Sequence, residues 1–504
     1  MAVSNEMDRR TFLAAAGSTA AAMGAGFAQA PAKAKDQVIG IQIGAASFVD
    51  EGTEKVLDVL QERAYVNTLF LATFTYGRGI SGRQIRGFPF PDHGVQAYDD
   101  NFHGGNYATP HAQYYKNTVL KDTKAPDFGK LDILETVIPA AKKRGIKTYC
   151  WSEDVWRPDV PNIEKCNEVS FAGTRARTLC FNNPDHHNFL LDLMEDLTRS
   201  YDIDGIMWGS ERYGAFCNSF ESIHRPKGND PAKVTCFCGF CKEKAKKRGI
   251  NVDRAMEGFK TLHAWVNAAR ASQRPVDGYW VTFWRILFRY PELLAWETMW
   301  NDSVHETYEA IYKTVKSIRP SVQVGWHVWH AHSFSPFFRA QTDLKELSKY
   351  SDYLKMTVYH DAIGGPRMAI YMDSVADTIF HDMPKDEALA FEYHVMNYQE
   401  ADSVDKLYRS ALSPDYVYRE TKRSVEGVAG ARTQIWPGID VDIPSGSIPP
   451  EAHVMKCTPE GTKAVVLAAY RGGAQGLVIS RKYSEMMLAN LGGVGEALRE
   501  LKLV

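Results

Sequence analysis

The chain has 504 residues, 44% of them hydrophobic, 24% charged and 12% aromatic, with a formal net charge of −2. That balance is ordinary for a globular protein and gives no polyelectrolyte basis for binding nucleic acid or a membrane surface. Setting aside a leader, the length suits one large barrel or two to three domains.

The N-terminus reads as an export signal. Asp8-Arg9-Arg10-Thr11-Phe12-Leu13 puts an arginine pair ahead of an uncharged, Ala- and Gly-rich stretch that runs to Ala30. Small-x-small cleavage sites follow at Ala28-Gln29-Ala30 and Ala32-Lys33-Ala34. This is the layout of a secretory signal, and the arginine pair marks its twin-arginine variant. The stretch is too weakly apolar to read as a stable membrane span. Residues 1–34 are therefore expected to be removed. The twin-arginine translocation machinery is the expected partner, and the periplasm or the exterior the expected location.

Strands and helices then alternate. Val38–Ile43 reads as a strand, followed by a helix carrying Val56, Leu57, Val59 and Leu60. Asn67–Ala72 is the second strand. A helix over Leu131–Lys143, ended by Gly145, leads to the third, Ile146–Trp151. Pro184 opens a helix with apolar Phe189, Leu190, Leu193, Met194 and Leu197, which leads to Ile203–Trp208. Val322–Trp326, Tyr353–Val358, Thr433–Trp436 and Gly476–Ile479 complete eight strands, and a helix from Met487 to Leu501 closes the chain.

Eight such alternations predict a single (β/α)₈ TIM barrel over residues 35–504. The runner-up is a doubly wound open sheet, but no glycine-rich dinucleotide fingerprint follows the first strand. Leu389–Met396 is a competing strand assignment. Three connections are too long for plain βα loops: Gly77 to about Pro126, strand four to about Glu306, and Asp361 to Thr433. In a barrel they rise above the C-terminal face, where active sites sit.

Three places carry chemistry. In Tyr201-Asp202-Ile203-Asp204-Gly205-Ile206-Met207-Trp208-Gly209-Ser210-Glu211-Arg212 a strand delivers Glu211 at its end, beside Trp208 and Arg212. Glycosidic hydrolysis needs one carboxyl group to protonate the leaving oxygen and a second to attack or stabilise the sugar. Trp208 would stack on a sugar ring; the plain alternative for Glu211 is an ion pair with Arg212. The second place is Cys236-x-Cys238-x-x-Cys241, a spacing that wraps a structural Zn²⁺ with one more ligand, for which Cys217 and His224 are the upstream candidates. It lies in a helical insertion at about 213–305. The third is Trp326-His327-Val328-Trp329-His330-Ala331-His332 with His360-Asp361, read first as sugar contacts, then as structure, then as a metal site. Trp151, Glu153 and Asp154 are further sugar contacts if they face the cleft.

The run from Asn182-Asn183-Pro184-Asp185 through Arg212, with Trp436-Pro437-Gly438-Ile439-Asp440 and Ile479-Ser480-Arg481-Lys482-Tyr483-Ser484-Glu485-Met486, resembles glycosyl-hydrolase-like barrel families. These are distantly similar to clan A glycosidases and alpha-amylase-type barrels. The resemblance implies a glycoside hydrolase with a carbohydrate substrate. Glu211 matches the clan's acid/base at the end of strand four, although Ser210 stands where the clan has Asn. For the nucleophile at the end of strand seven the chain offers Asp440 or Asp442 in place of Glu, with Glu485 as a fallback. Trp208, Arg212, Trp326, His330, His360 and Arg481 would line the sugar site. The cysteine run is similar to the zinc cluster of family 42 beta-galactosidases, which implies a structural metal. The rival functions are a metal-dependent hydrolase or lyase built on the strand-end histidines, and a carbohydrate-binding barrel without catalysis.

Overall fold

The computed structural model describes residues 37–76, 82–93, 96–154, 157, 159–224, 231–361, 363–441 and 457–504. The arginine pair and Asp442 lie outside the described residues.

The apolar runs form parallel strands: β1 (Val38–Ile43), β2 (Thr68–Tyr76), β3 (Lys147–Glu153), β4 (Gly205–Gly209), β5 (Gln323–Val328), β6 (Tyr353–Thr357), β7 (Gln434–Asp440) and β8 (Gly476–Ser480). Each pairs with the next, and β8 pairs with β1, so the barrel closes. A short strand, Gly104–Asn106, adds to β2 in antiparallel sense. All eight predicted strands are present, with shifted ends. β2 continues past a register shift between Ala72 and Phe74, and β7 runs on through Pro437 and Gly438, which read as breakers in the sequence. Leu389–Met396 is not a strand; it lies in the helix Lys385–Met396. Its apolar residues are split between buried Leu389 and exposed Phe391 and Val395, as on a helix surface.

Side chains alternate across a strand, and this decides what fills the barrel. Val38, Phe70, Tyr149, Met207, Tyr353, Trp436 and Val478 make one buried interior cluster. Tyr353 stacks on Trp436 with centroids 3.9 Å apart, and Phe70 meets Tyr149 edge-on at 5.2 Å. Glycine makes room for the rings: a Cβ on Gly205 would lie 2.5 Å from the Tyr149 ring. Above this plug the same inward register carries polar groups, including Gln42, Glu153, His327, Lys355, Thr357, Asp440 and Ser480.

The helices cover the outside. Helix Pro184–Ser200 starts where Asn183 accepts from the backbone N–H groups of Asp185 and His186, with Pro184 at its first position. Helix Glu292–Ile318, the last of the long β4–β5 connection, packs against it. Trp208 and Trp326 face this layer. Both are fully buried, Trp208 against Tyr308 at 5.1 Å, and Trp326 against Tyr308 at 4.5 Å with its Nε1 donating to the Tyr350 carbonyl. They are core residues, not sugar platforms, because they take the outward phase of their strands. No helix among the described residues is long and apolar enough to cross a membrane.

Candidate active site

Glu211 stands just beyond β4 on the same phase as Met207 and Gly209. A Cβ on Gly209 would lie 2.5 Å from the His327 carbonyl oxygen, so glycine here lets the ends of β4 and β5 approach closely. Across that gap the Glu211 Oε1 is 2.7 Å from His327 Nε2. On the other side of the ring, Lys355 Nζ is 3.2 Å from His327 Nδ1 and 2.8 Å from the Tyr359 hydroxyl. An ammonium can only donate. His327 Nδ1 therefore accepts, and Nε2–H donates to Glu211. Burial and the Lys355 charge hold His327 below its ordinary value, so it works as a neutral, oriented donor.

Two effects compete at Glu211. Desolvation pushes its carboxyl up, but the hydrogen bond from His327 and the nearby charge of Lys355 outweigh it and hold the group well below the usual range. With its side chain 43% exposed, the carboxylate is open to a ligand while anchored from behind.

Glu153 ends β3, beside β4. Burial first, then the Glu211 charge, push its carboxyl up to about 8, against the opposing charges of Arg481 and Lys482. Its Oε2 is buried and makes no hydrogen bond among the described residues. The barrel mouth thus holds one carboxyl group protonated at neutral pH next to one that is ionised.

Arg212 is not free to grip a substrate. It pairs with Asp154 at 2.5 Å and Glu168 at 3.1 Å, lies over the Phe181 ring and donates to the Leu179 carbonyl. Ser210 donates to the same Asp154 carboxylate at 3.0 Å. These contacts tie the end of β4 to the end of β3 and to the hairpin formed by Asn167–Val169 and Arg175–Leu179.

That hairpin also delivers the fourth cysteine. Cys180, directly after it, joins Cys236, Cys238 and Cys241, with all four sulfurs within 4.8 Å of one another. Cys180 Sγ is 3.5 Å from both Cys238 Sγ and Cys241 Sγ. This is far beyond a disulfide bond and close to the edge of about 3.8 Å that four sulfurs make around a tetrahedral Zn²⁺. The expected fourth ligands lie elsewhere. Cys217 is buried near Glu221 and takes a contact from Gln341 Nε2 at 3.2 Å. His224 stacks on Trp329 and contacts Arg367 on the Glu211 side of the molecule.

Asp440 is completely buried. Its carboxylate accepts from the backbone N–H groups of His360 at 2.6 Å, Asp361 at 3.1 Å and Ile363 at 3.4 Å, and lies 3.0 Å from His360 Nδ1. Burial opposes its ionisation, but His360 and these donors hold it down at about 2. Although it takes the inward register, it is committed to the turn after β6 and has no exposed surface from which to attack a substrate. His330, which feels the charges of both carboxylates, is buried against Phe334 and Tyr359, and its Nε2 has no hydrogen-bond partner among the described residues. Burial and Arg367 lower it to about 3, against the pull of Asp440 and Glu211. Arg481 lies near Glu153 just after β8, and Glu485 pairs with Lys482 at 3.1 Å. Lys355 was missed as a site residue, and His327 was named only as part of the strand-five histidine run, with Trp326 and His330 preferred to it. Their signals were phase, for His327, and a lone charge inside an apolar strand, for Lys355.

No protein-family model matches the chain, and no curated protein sequence matches it. Solved structures do. A β-galactosidase from the Antarctic haloarchaeon Halorubrum lacusprofundi superposes with a TM-score of 0.50 at 14% identity, over 92% of this chain and 58% of that one. An α-L-fucosidase isoenzyme 2 from Paenibacillus thiaminolyticus gives 0.48 at 11% identity, over 92% and 49%. A β-galactosidase from Bacillus circulans sp. alkalophilus gives 0.48 at 11%, over 92% and 56%. The chain thus spans about half to three fifths of the length of these proteins. The likeness is one of fold: the chain is a closed (β/α)₈ TIM barrel, as in that haloarchaeal β-galactosidase.

Proposed function

We propose that the protein is a glycoside hydrolase in which Glu153 is the proton donor and Glu211 the ionised partner. A barrel of this kind hosts many chemistries, so the site must carry the reading. The observation that carries it is the pair of carboxyl groups at the ends of adjacent strands, one pushed up to about 8 and the other held below the usual range. Environments that drive two carboxyl groups apart assign the acid and its partner. Protonated Glu153 gives its proton to the leaving glycosidic oxygen. Glu211, kept anionic by His327, attacks or electrostatically stabilises the cationic sugar carbon. This moves the acid role from Glu211, where the family resemblance puts it, to Glu153. The test is a glycan and aryl-glycoside library with Glu211→Gln as the blank. Wild type should release sugar from some members and the variant from none. Equal release from both would reject the assignment.

Cys180, Cys236, Cys238 and Cys241 would hold a structural Zn²⁺, whose role is to fix the hairpin and the β4–β5 connection together. Thr235, next to Cys236, donates to Glu168 at 2.7 Å, and Glu168 in turn pairs with Arg212. The cluster thereby supports the end of β4. Cys238→Ser should lose one equivalent of tightly held zinc relative to wild type and melt at a lower temperature. Unchanged zinc content by elemental analysis would contradict this.

Export by the twin-arginine route follows from Arg9 and Arg10. It fits a thiolate site, because folded proteins can be loaded with metal before crossing. Changing both arginines to Lys should leave precursor in the cytoplasm on cell fractionation. Normal periplasmic accumulation would refute the route.

A further inference from the structure

The turn after β6 and the start of helix Pro459–Arg471 bring a second set of donors together. A ring nitrogen of His360, a carboxylate oxygen of Asp361 and the sulfur of Cys457 lie within 4.8 Å of one another. The three residues are only 3%, 6% and 8% exposed. His360 Nδ1 faces the Asp440 carboxylate at 3.0 Å, while His360 Nε2 and Asp361 Oδ1 make no hydrogen bond among the described residues. Buried polar atoms almost always find partners, so two unsatisfied ones beside a buried thiol call for an explanation such as an ion.

We propose that His360, Asp361 and Cys457 form a second metal site, separate from the four-cysteine cluster, for a zinc-class transition-metal cation. The donor chemistry selects that class. Thiolate and imidazole suit zinc and its neighbours, whereas calcium and magnesium take oxygen. Three protein donors leave a fourth tetrahedral position for a small ligand. The site also gives Asp440 a role. Its carboxylate accepts from the backbone of both His360 and Asp361 and stands 3.0 Å from the His360 ring. The Cys457 sulfur is 3.5 Å from the Asp440 carbonyl oxygen. Asp440 is thus a positioning residue that orients all three ligands, as a carboxylate behind a metal-binding histidine does.

This inference does not depend on the glycosidase reading, since its readout is metal content. Full-length mature protein, produced with zinc and freed of loose metal by gel filtration, should hold two equivalents per chain. His360→Ala, Asp361→Asn and Cys457→Ser should each keep one, and Cys238→Ser should lose the other. Wild type holding a single equivalent, or the three variants matching wild type, would overturn the site. Should His360→Ala fail to fold, Asp361→Asn preserves the shape and still removes a charged donor. Wild type stripped of the second metal should then take up one equivalent of Co²⁺ with a thiolate–cobalt absorption that Cys457→Ser lacks. No uptake by wild type would overturn the proposal.

Discussion

Glu211→Gln should abolish turnover on every glycoside the wild type cleaves, with kcat/KM falling on the order of 1000-fold or more, as when a main electrostatic stabiliser of a transition state is removed. The amide keeps the shape and the contact with His327 but carries no charge to meet the positive sugar carbon. The loss should be similar for activated aryl glycosides and for natural linkages, because the missing function acts on the sugar and not on the leaving group. Initial rates across a series of leaving groups check this. A variant that recovers most of its rate on activated substrates would make Glu211 the proton donor and reverse the assignment. The variant should also lower the proton affinity of Glu153, because it removes the negative neighbour that pushes that carboxyl up.

Glu153→Gln should behave differently. Loss of a general acid costs roughly 100- to 10 000-fold on substrates whose leaving oxygen must be protonated. Activated aryl glycosides, which need little protonation, should keep most of their rate. The pH profile follows from the same group. Its folded value of about 8 lies above the ordinary carboxyl value of 4.5, so the working proton is present below about 8 and lost as pH rises through it. Wild-type activity should fall on the alkaline side near pH 8. It should persist well into acid, because Glu211 is held below the usual range. Glu153→Gln should erase the alkaline limb. The linkage has a counterpart in stability: the folded state binds this proton more tightly than the unfolded state, so Glu153 makes folding less favourable as pH climbs from 4.5 toward 8. The Gln variant should relieve that loss, read as a smaller fall in melting temperature over the same range.

The barrel was legible because its strands are short apolar runs separated by amphipathic helices, and the interior phase of each strand is written in its alternation. The same alternation explains the misreadings. Trp208 and Glu211 are three residues apart and so take opposite phases along β4, which sends the indole into the helix layer. Trp326 and His327 are adjacent, and it is the histidine that turns inward to Glu211. Lys355, one charge in an otherwise apolar strand, was a visible signal that spacing rules did not use. Cys180 was not legible. It is far from the cysteine run in sequence and reaches it only because the hairpin folds back, with a bridge between Ser170 and Thr235. The role of Asp440 was equally hidden, because whether a strand-end carboxylate meets substrate or backbone depends on the turn after the neighbouring strand.

On these contacts the barrel mouth keeps Glu153 protonated and Glu211 ionised at neutral pH. This can be tested without knowing the sugar. Protein labelled with carboxyl-¹³C glutamate, titrated by NMR with Glu153→Gln and Glu211→Gln spectra for assignment, reads both groups directly. The Glu153 signal should titrate near pH 8 and move to lower pH in Glu211→Gln, with the Glu211 signal ionised throughout the neutral and mildly acidic range. A Glu153 signal titrating at the ordinary value of 4.5, unaffected by Glu211→Gln, would contradict this.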